Sequence, residues 1–527
     1  MSTAVPAAAS GKVDSYAWKV LGIVMLGTMM AALDQSIVNV SLPAIMADYG
    51  SSLDDIEWVV TGYMLAFATL MPLTAWFRDR IGHRNLYLIS LVVFTVGSVL
   101  CGMAVNLPTL VFARVIQAFG GGAITPTGMA MISEEFPPHE RARALGYWGM
   151  GVIAGPAFGP TLGGWLTSAF GWRSIFLVNL PVGILGVLLG MKVLKVDKPH
   201  GQCHKLFDLW GFVFLSLFLI PFLLGLSKGE HEGWTSAYTI TCAILSVIGL
   251  VGFLLVESLI PYRIMDLGLF KYPVFSACMG VTAVRSVALY GGTFLLPLYL
   301  QQLRGLDEID SGVVMLWGSL LLGAVMPLAS KLMDRFGPKV VTIAGLLGVA
   351  LFMFMLRNID ENTSTWDVVL PTLVRGVGIG LMFTPVTAVA LNSVPKASAG
   401  MASSMLNLIQ QVCGSVGIAV LATVLSHRAK FHLSAYGASI SSASPAFRES
   451  FGRLSGHAHE LGFTHSQSAR IASTYIGRAV GTAAQSAAFG DCFLFGTVVV
   501  LLGISAAFLL PNRVTKLTQE EQLAAME

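Results

Sequence analysis

Apolar residues run along this chain in long blocks, with most of the polar residues gathered between them. Fourteen such runs of roughly 18 to 29 residues lie near 18–42, 58–77, 86–105, 108–132, 145–169, 175–194, 207–227, 236–256, 274–302, 312–333, 340–357, 367–391, 399–425 and 489–510. At about 1.5 Å per residue each can cross a bilayer as a helix. In hydrocarbon every backbone N–H and C=O needs a partner within the protein, so runs this long and uniform are predicted to be helical. Barrel strands would be shorter and would alternate in polarity. The predicted fold class is an all-α polytopic membrane protein with 14 transmembrane helices.

The second and tenth runs carry an internal repeat. MPLTAWFRDRIGHR (71–84) aligns without a gap on MPLASKLMDRFGPK (326–339), and Gly82 matches Gly337. Two six-helix halves would place that repeat on the second and eighth spans. Two extra helices, near 207–227 and 236–256, must therefore lie between the halves. The expected organisation is an N-terminal tail (1–17), a first half (18–194), a linker with two inserted helices (195–257), a second half (258–510) containing an external segment (427–488), and a C-terminal tail (511–527).

Composition agrees, with 55% hydrophobic and 12% charged residues. With the N-terminus inside, the six even-numbered loops and the run ends beside them hold fifteen Lys or Arg, against four at the short odd-numbered loops and their run ends. That asymmetry predicts cytoplasmic termini. The net charge of +3 reflects this topology and gives no reason to expect a nucleic-acid partner. The six cysteines are scattered and form no disulfide framework. His200, Cys203 and His204 have the residue types of a metal site, but a solvated linker is the simpler reading, so neither metal nor cofactor is expected.

Asp34 is the sole ionisable side chain between Lys19 and Asp48. A carboxylate at bilayer depth is expensive and marks a functional candidate. Arg114 lies six residues after Pro108 in the fourth run, and Asp34 eight residues before Leu42 in the first. Both therefore sit roughly 9–12 Å below the outer surface and can meet if the two helices are neighbours. Burial and a nearby Arg act on a carboxylate's protonation in opposite directions, as proton coupling requires. A static ion pair that fixes packing is the alternative. Arg285 lies near mid-membrane in the ninth run, where it would bind an anionic substrate group, pair with Asp34 across a cavity, or pair structurally; Arg375 is a second buried cation. Gln35, Asn39, Gln117, Tyr290, Asn407 and Gln411 are expected to face the cavity, with Met30, Tyr63, Trp148 and Phe294 as apolar candidates.

Five motifs in order resemble the major facilitator superfamily, in its fourteen-span drug:proton antiporter family of the EmrB/QacA type. They are LDQSIVNVSLP (33–43), AWFRDRIGHR (75–84), RVIQAFGGG (114–122), GPAFGPTLGG (155–164) and WRSIFLVNLPVG (172–183). Ser36, Ser41, Ala75, His83 and Ala118 depart from the usual patterns. The resemblance implies a major facilitator fold and assigns Gly155, Pro156, Gly159, Pro160, Gly163 and Gly164 to the antiporter motif, read from the residues as a kinked, closely packed helix. It makes Asp79, Arg80 and Arg84 a conformational latch, with Asp334 and Arg335 as a second copy weakened by Pro338 and Lys339.

The expected function is a proton-coupled antiporter, not an enzyme, exporting amphipathic small molecules by alternating access. The alternative is a dedicated exporter of a metabolite, siderophore or anionic lipid-like compound. No phosphate-binding Gly-x-x-x-x-Gly-Lys-Ser/Thr loop points to ATP. Segment 427–488 begins as a Ser/Ala/Gly-rich, flexible-linker composition. From Ser466 to Ala488 it reads as a helix lying over the outer surface. Its expected role is either a cap on the last two spans or a docking surface for a periplasmic adaptor and outer-membrane channel.

Overall fold

Burying so many apolar runs while satisfying their backbones leaves helices packed side by side as the available solution. The computed structural model of the chain describes residues 14–196, 207–260, 263–395, 398–439 and 445–512; His200, Cys203 and His204 lie outside them. The first half comprises α1 (Ser15–Tyr49), α2 (Leu53–Ile56), α3 (Trp58–Leu70), α4 (Leu73–Ile81), α5 (His83–Gly102), α6 (Leu107–Glu135), α7 (Pro138–Phe170), α8 (Ser174–Leu177) and α9 (Asn179–Val193). Then follow α10 (Leu209–Glu232), α11 (Ala237–Leu259), α12 (Pro273–Leu298), α13 (Glu308–Phe336), α14 (Pro338–Met355), α15 (Thr365–Asn392), α16 (Ala399–Ser439), α17 (Pro445–Glu460) and α18 (His465–Ala507).

Among the described residues twelve helices are long and apolar enough to cross a membrane, and thirteen when α3 and α4 count as one span bent by 56°. The bend falls at Met71 and Pro72, where proline supplies no N–H to continue the ladder. The run near 145–169 falls on α7, a 33-residue helix packed along α1; the predicted count of fourteen is reached only when α7 is added.

The sequence repeat is also a backbone repeat. Gly82 ends α4 at φ 81°, ψ 163°, and Gly337 ends α13 at φ 83°, ψ 157°. Both conformations lie where glycine is favoured over any side chain. The inserted α10 and α11 pack on each other, and α10 leans on α3 and α16. Ile244, Val247, Ile248 and Val251 remain exposed on α11, a face suited to lipid.

The halves touch through α7 with α13 and α15, and through α16 with α4 and α6. Thr74 and Ser404 hydroxyls lie 2.8 Å apart, Ser403 donates to the Pro126 carbonyl at 3.0 Å, and Arg141 donates to Asn392. All of these contacts lie toward the basic-loop end of the bundle. These links close the molecule at the basic end.

The external segment departs from the linker expectation. α16 runs on to Ser439, α17 packs on α18, and α18 is one helix of 43 residues from His465. At about 1.5 Å per residue α18 is roughly twice the hydrocarbon thickness, so it projects outward instead of lying over the surface. Its Ala-rich sequence favours continuation of the helix. Asp491 on α18 accepts from Arg428 at 2.5 Å and pairs with His432 at 2.7 Å, tying α18 to α16.

The Thr74–Ser404 contact predicts a conformational trap. The pair Thr74→Cys and Ser404→Cys is expected to oxidise to a disulfide, halt transport in vesicles, and recover on reduction. Oxidised protein that transports at the wild-type rate would show that this end need not open.

Candidate functional site

Asp34 lies on α1 and is 1% exposed. An isolated carboxylate could not be held there; this one is bonded on both oxygens. Oδ2 accepts from Arg114 Nη1 at 2.6 Å, and Oδ1 accepts from Gln117 Nε2 at 2.7 Å and Asn179 Nδ2 at 3.0 Å. Arg114 and Gln117 are one turn apart on α6, which places both on the face toward α1. Arg114 Nη1 also donates to Gln117 Oε1 at 2.7 Å, and Nε to the Val59 carbonyl at 3.3 Å. Ser98 Oγ on α5 accepts from Gln117 at 3.1 Å and Asn179 at 2.9 Å. The guanidinium carbon lies 4.0 Å from the Tyr63 ring centroid, a cation–π contact on α3. One carboxylate thereby links α1, α3, α5, α6 and α9.

Two sequence expectations change here. Gln117 is fully buried in this network, not lining a cavity. Asn179 escaped notice, although it is the one polar residue in the apolar part of WRSIFLVNLPVG that bonds Asp34. Among the described residues Arg285 does not reach Asp34, whose oxygens are already occupied; its Nη2 donates to Gln410 Oε1 at 2.8 Å.

Gln35 and Asn39 are exposed one turn apart on α1. On α12, Tyr290 and Phe294 are half-buried one turn apart, and Gln411 on α16 is half-buried. Asn407 is instead buried and donates to the Ser403 carbonyl of its own helix at 2.9 Å, so its amide is spent locally. Gln410, one residue before the predicted Gln411, is the side chain that meets Arg285. Met30 is buried. Trp148 is buried, donates to Thr28 Oγ1 at 3.1 Å, and has its ring centroid 6.4 Å from that of Phe383.

The antiporter glycines set the distance between α1 and α7. A Cβ at Gly155 would stand 2.2 Å from the Ala32 carbonyl oxygen, at Gly159 2.5 Å from Ser36 Cβ, and at Gly163 3.0 Å from the Ile37 oxygen. Gly164 has 3.9 Å of room. α7 runs as one helix through Pro156 and Pro160. At the basic end, Arg84 donates to the Met191 carbonyl at 3.0 Å and Arg80 lies 5.3 Å from the Trp76 ring centroid, both inside the first half. Arg78 reaches across to the second half. It bonds Asp79 at 2.5 Å and stands where a Cβ on Gly400 of α16 would be. Asp334 and Arg335 occupy the last turn of α13, Arg335 lying 5.2 Å from the Phe336 ring centroid.

Arg114→Met would leave Asp34 buried without its cation, at a cost of about 3–5 kcal/mol. A large loss of thermal stability in detergent is expected, largely restored in Asp34→Asn/Arg114→Met; a single variant that melts like the wild type would refute the pairing energetics. Gly155→Ala should likewise destabilise by about 1–3 kcal/mol through overpacking, whereas Gly164→Ala should leave the melting temperature near wild type. Equal effects at the two glycines would contradict the α1–α7 contact.

Comparison with known proteins accords with this geometry. The family model described as Major Facilitator Superfamily matches residues 24–418. A multidrug resistance protein B homolog of Mycobacterium tuberculosis is 33% identical over 79% of this chain and 78% of its own length. The multidrug export protein EmrB of Haemophilus influenzae is 31% identical over 77% of this chain and 80% of its own. Among solved structures, the human organic anion transporter MFSD10 (TETRAN) superposes with a TM-score of 0.60 at 13% identity, covering 93% of this chain and 99% of that one; this likeness concerns the fold alone. The chain is a multi-pass membrane transporter that belongs to the major facilitator superfamily, in its EmrB/QacA-like drug:proton antiporter family.

Proposed function

We propose that this protein exports amphipathic small molecules from the cell in exchange for protons, and that Asp34 is the coupling carboxylate with Arg114 as its tuning partner. The observation that carries the reading is the buried Asp34–Arg114 pair at 2.6 Å. A proton on Asp34 cancels the charge facing Arg114 and turns one acceptor oxygen into a donor. At least one of the bonds from Arg114, Gln117 and Asn179 then loses its acceptor, weakening the tie of α1 to α6 and α9. Such a two-state element is what alternating access needs. Inward proton movement supplies about 2.3 kcal/mol per charge per 100 mV. The names of the two bacterial relatives, multidrug resistance and multidrug export, support efflux of small molecules.

In this reading both termini are cytoplasmic, in a bacterial inner membrane, and the conformation closed at the basic end faces outward. Gln35, Asn39, Tyr290, Phe294, Arg285 and Gln411 contact substrate near mid-membrane, a common position for transporter sites. Arg78 with Asp79 latches the closed end, and the antiporter glycines hold α7 on α1 so that protons do not leak. The projecting α16–α18 hairpin serves as the docking surface for a periplasmic adaptor and an outer-membrane channel. Arg285 and Arg375 favour a second reading, a dedicated exporter of an anionic compound.

In vesicles holding the purified protein and an internal pH dye, an inward proton gradient is expected to show substrate-dependent proton movement that Asp34→Asn abolishes. Proton exchange that persists in Asp34→Asn would remove Asp34 from the coupling role.

A further inference from the structure

The first half matches its buried cation with a carboxylate; the second half does not. Arg285 is 2% exposed and Arg375 7% exposed, and among the described residues neither forms an ion pair. Every Asp and Glu between residues 263 and 425 lies in a connection or within about a turn of a helix end. Arg285 spends Nη2 on Gln410, while Nε and Nη1 have no hydrogen-bond partner among the described residues. Arg375 spends Nη2 on the Leu289 carbonyl at 3.1 Å, and its Nε is likewise unpartnered. Leu289 is one turn along α12 from Arg285, so Arg375 meets α12 one turn from the residue that carries the other buried cation.

Three buried donors on two cations, with no acid to receive them, form an unbalanced site, because a buried charge is tolerated when paired and hydrogen-bonded. Its surroundings describe the rest of a ligand. The Arg285 guanidinium carbon lies 4.4 Å from the Phe383 ring centroid, and Phe383 lies beside Trp148 of the first half. Tyr290 and Phe294 continue an apolar, aromatic wall along α12. Gln410 offers its oxygen to Arg285 and thereby orients the guanidinium.

We infer that Arg285 and Arg375 form the acid-binding subsite of the transport cavity, and that its ligand is an amphiphile with an aromatic or apolar body and a carboxylate head. The head bonds the Arg285 donors, with Arg375 adding its charge one turn away, and the body lies against Phe383, Trp148 and Tyr290. Charge-assisted bonds of this kind are the strong ones. The substrate's carboxylate does for the second half what Asp34 does for the first. Because Phe383 of α15 lies beside Trp148 of α7, occupancy of the site is sensed at the seam between the halves. The inference deepens the efflux reading and depends on it only for the direction of transport.

The test is binding to the full-length protein in detergent without a proton gradient. The probes are a naphthyl-substituted alkanoic acid and its primary amide, read by equilibrium dialysis at about pH 8, where the acid is ionised. The wild type is expected to prefer the acid by about tenfold or more. Arg285→Gln should bring that ratio to within about twofold of one, with Arg285→Lys between them. Should Arg285→Gln not elute as a single species, Gln410→Leu is read with Arg285→Lys, and a fall in the ratio in both supports the subsite. A wild-type ratio near one, or a ratio that no variant lowers, overturns it. Failure of proton exchange in vesicles would instead refute the efflux reading and leave this ratio unchanged.

Discussion

A carboxylate buried at membrane depth must be matched by charge and hydrogen bonds, and the first half of this protein is arranged around that requirement at Asp34. Its three partners come from two helices, Arg114 and Gln117 from α6 and Asn179 from α9. Ser98 on α5 and the Tyr63 ring on α3 hold those partners in turn. The glycines of α7 bring that helix against the opposite face of α1 at Ala32, Ser36 and Ile37. Helix α1 is thus held by polar bonds on one face and backbone-close packing on the other. A change in the protonation of one group alters only the polar side of that balance.

The second half uses the same helical frame with a different electrostatic solution. Gly82 and Gly337 share a backbone conformation to within a few degrees, yet among the described residues the buried acid–base pair of the first half has no counterpart. Arg285 and Arg375 are held by an amide oxygen and a backbone carbonyl. Neutral acceptors orient a guanidinium but leave its charge largely uncompensated. The asymmetry leaves a paired buried charge in one half and unpaired buried cations in the other. Phe383 and Trp148 lie between them.

The contacts that close the basic end are short polar links in place of a large apolar seam. Thr74 with Ser404, Ser403 with the Pro126 carbonyl, and Arg141 with Asn392 can each exchange for water when that end opens. Arg78 seated against Gly400 adds a steric key. At the opposite end, the helical hairpin of α16, α17 and α18 is braced by Asp491, Arg428 and His432, which gives an external projection a fixed base.

By itself the sequence determined that this is a bundle of membrane helices in two repeated parts with an insertion, because span length and backbone satisfaction in lipid admit little else. It also determined that Asp34 and Arg114 lie at one depth, since helical rise converts residue number into height. Depth does not specify azimuth, and that is where the reading of single residues failed. Gln117 turned into the Asp34 network, Asn407 bonded its own helix, and Gln410, which the sequence did not single out, met Arg285. Asn179 joined Asp34 from 145 residues away. Arg78 crossed to the other half while Arg80 packed on Trp76 of its own helix, since positions two apart on a helix point to nearly opposite sides. The first half of segment 427–488 read as a linker because its small residues suit both flexible chain and helix, whereas α16 runs on to Ser439 and α17 covers Pro445–Glu460. Only the tertiary structure could decide these points, because each depends on which neighbouring helix supplies the partner that a buried polar group must have.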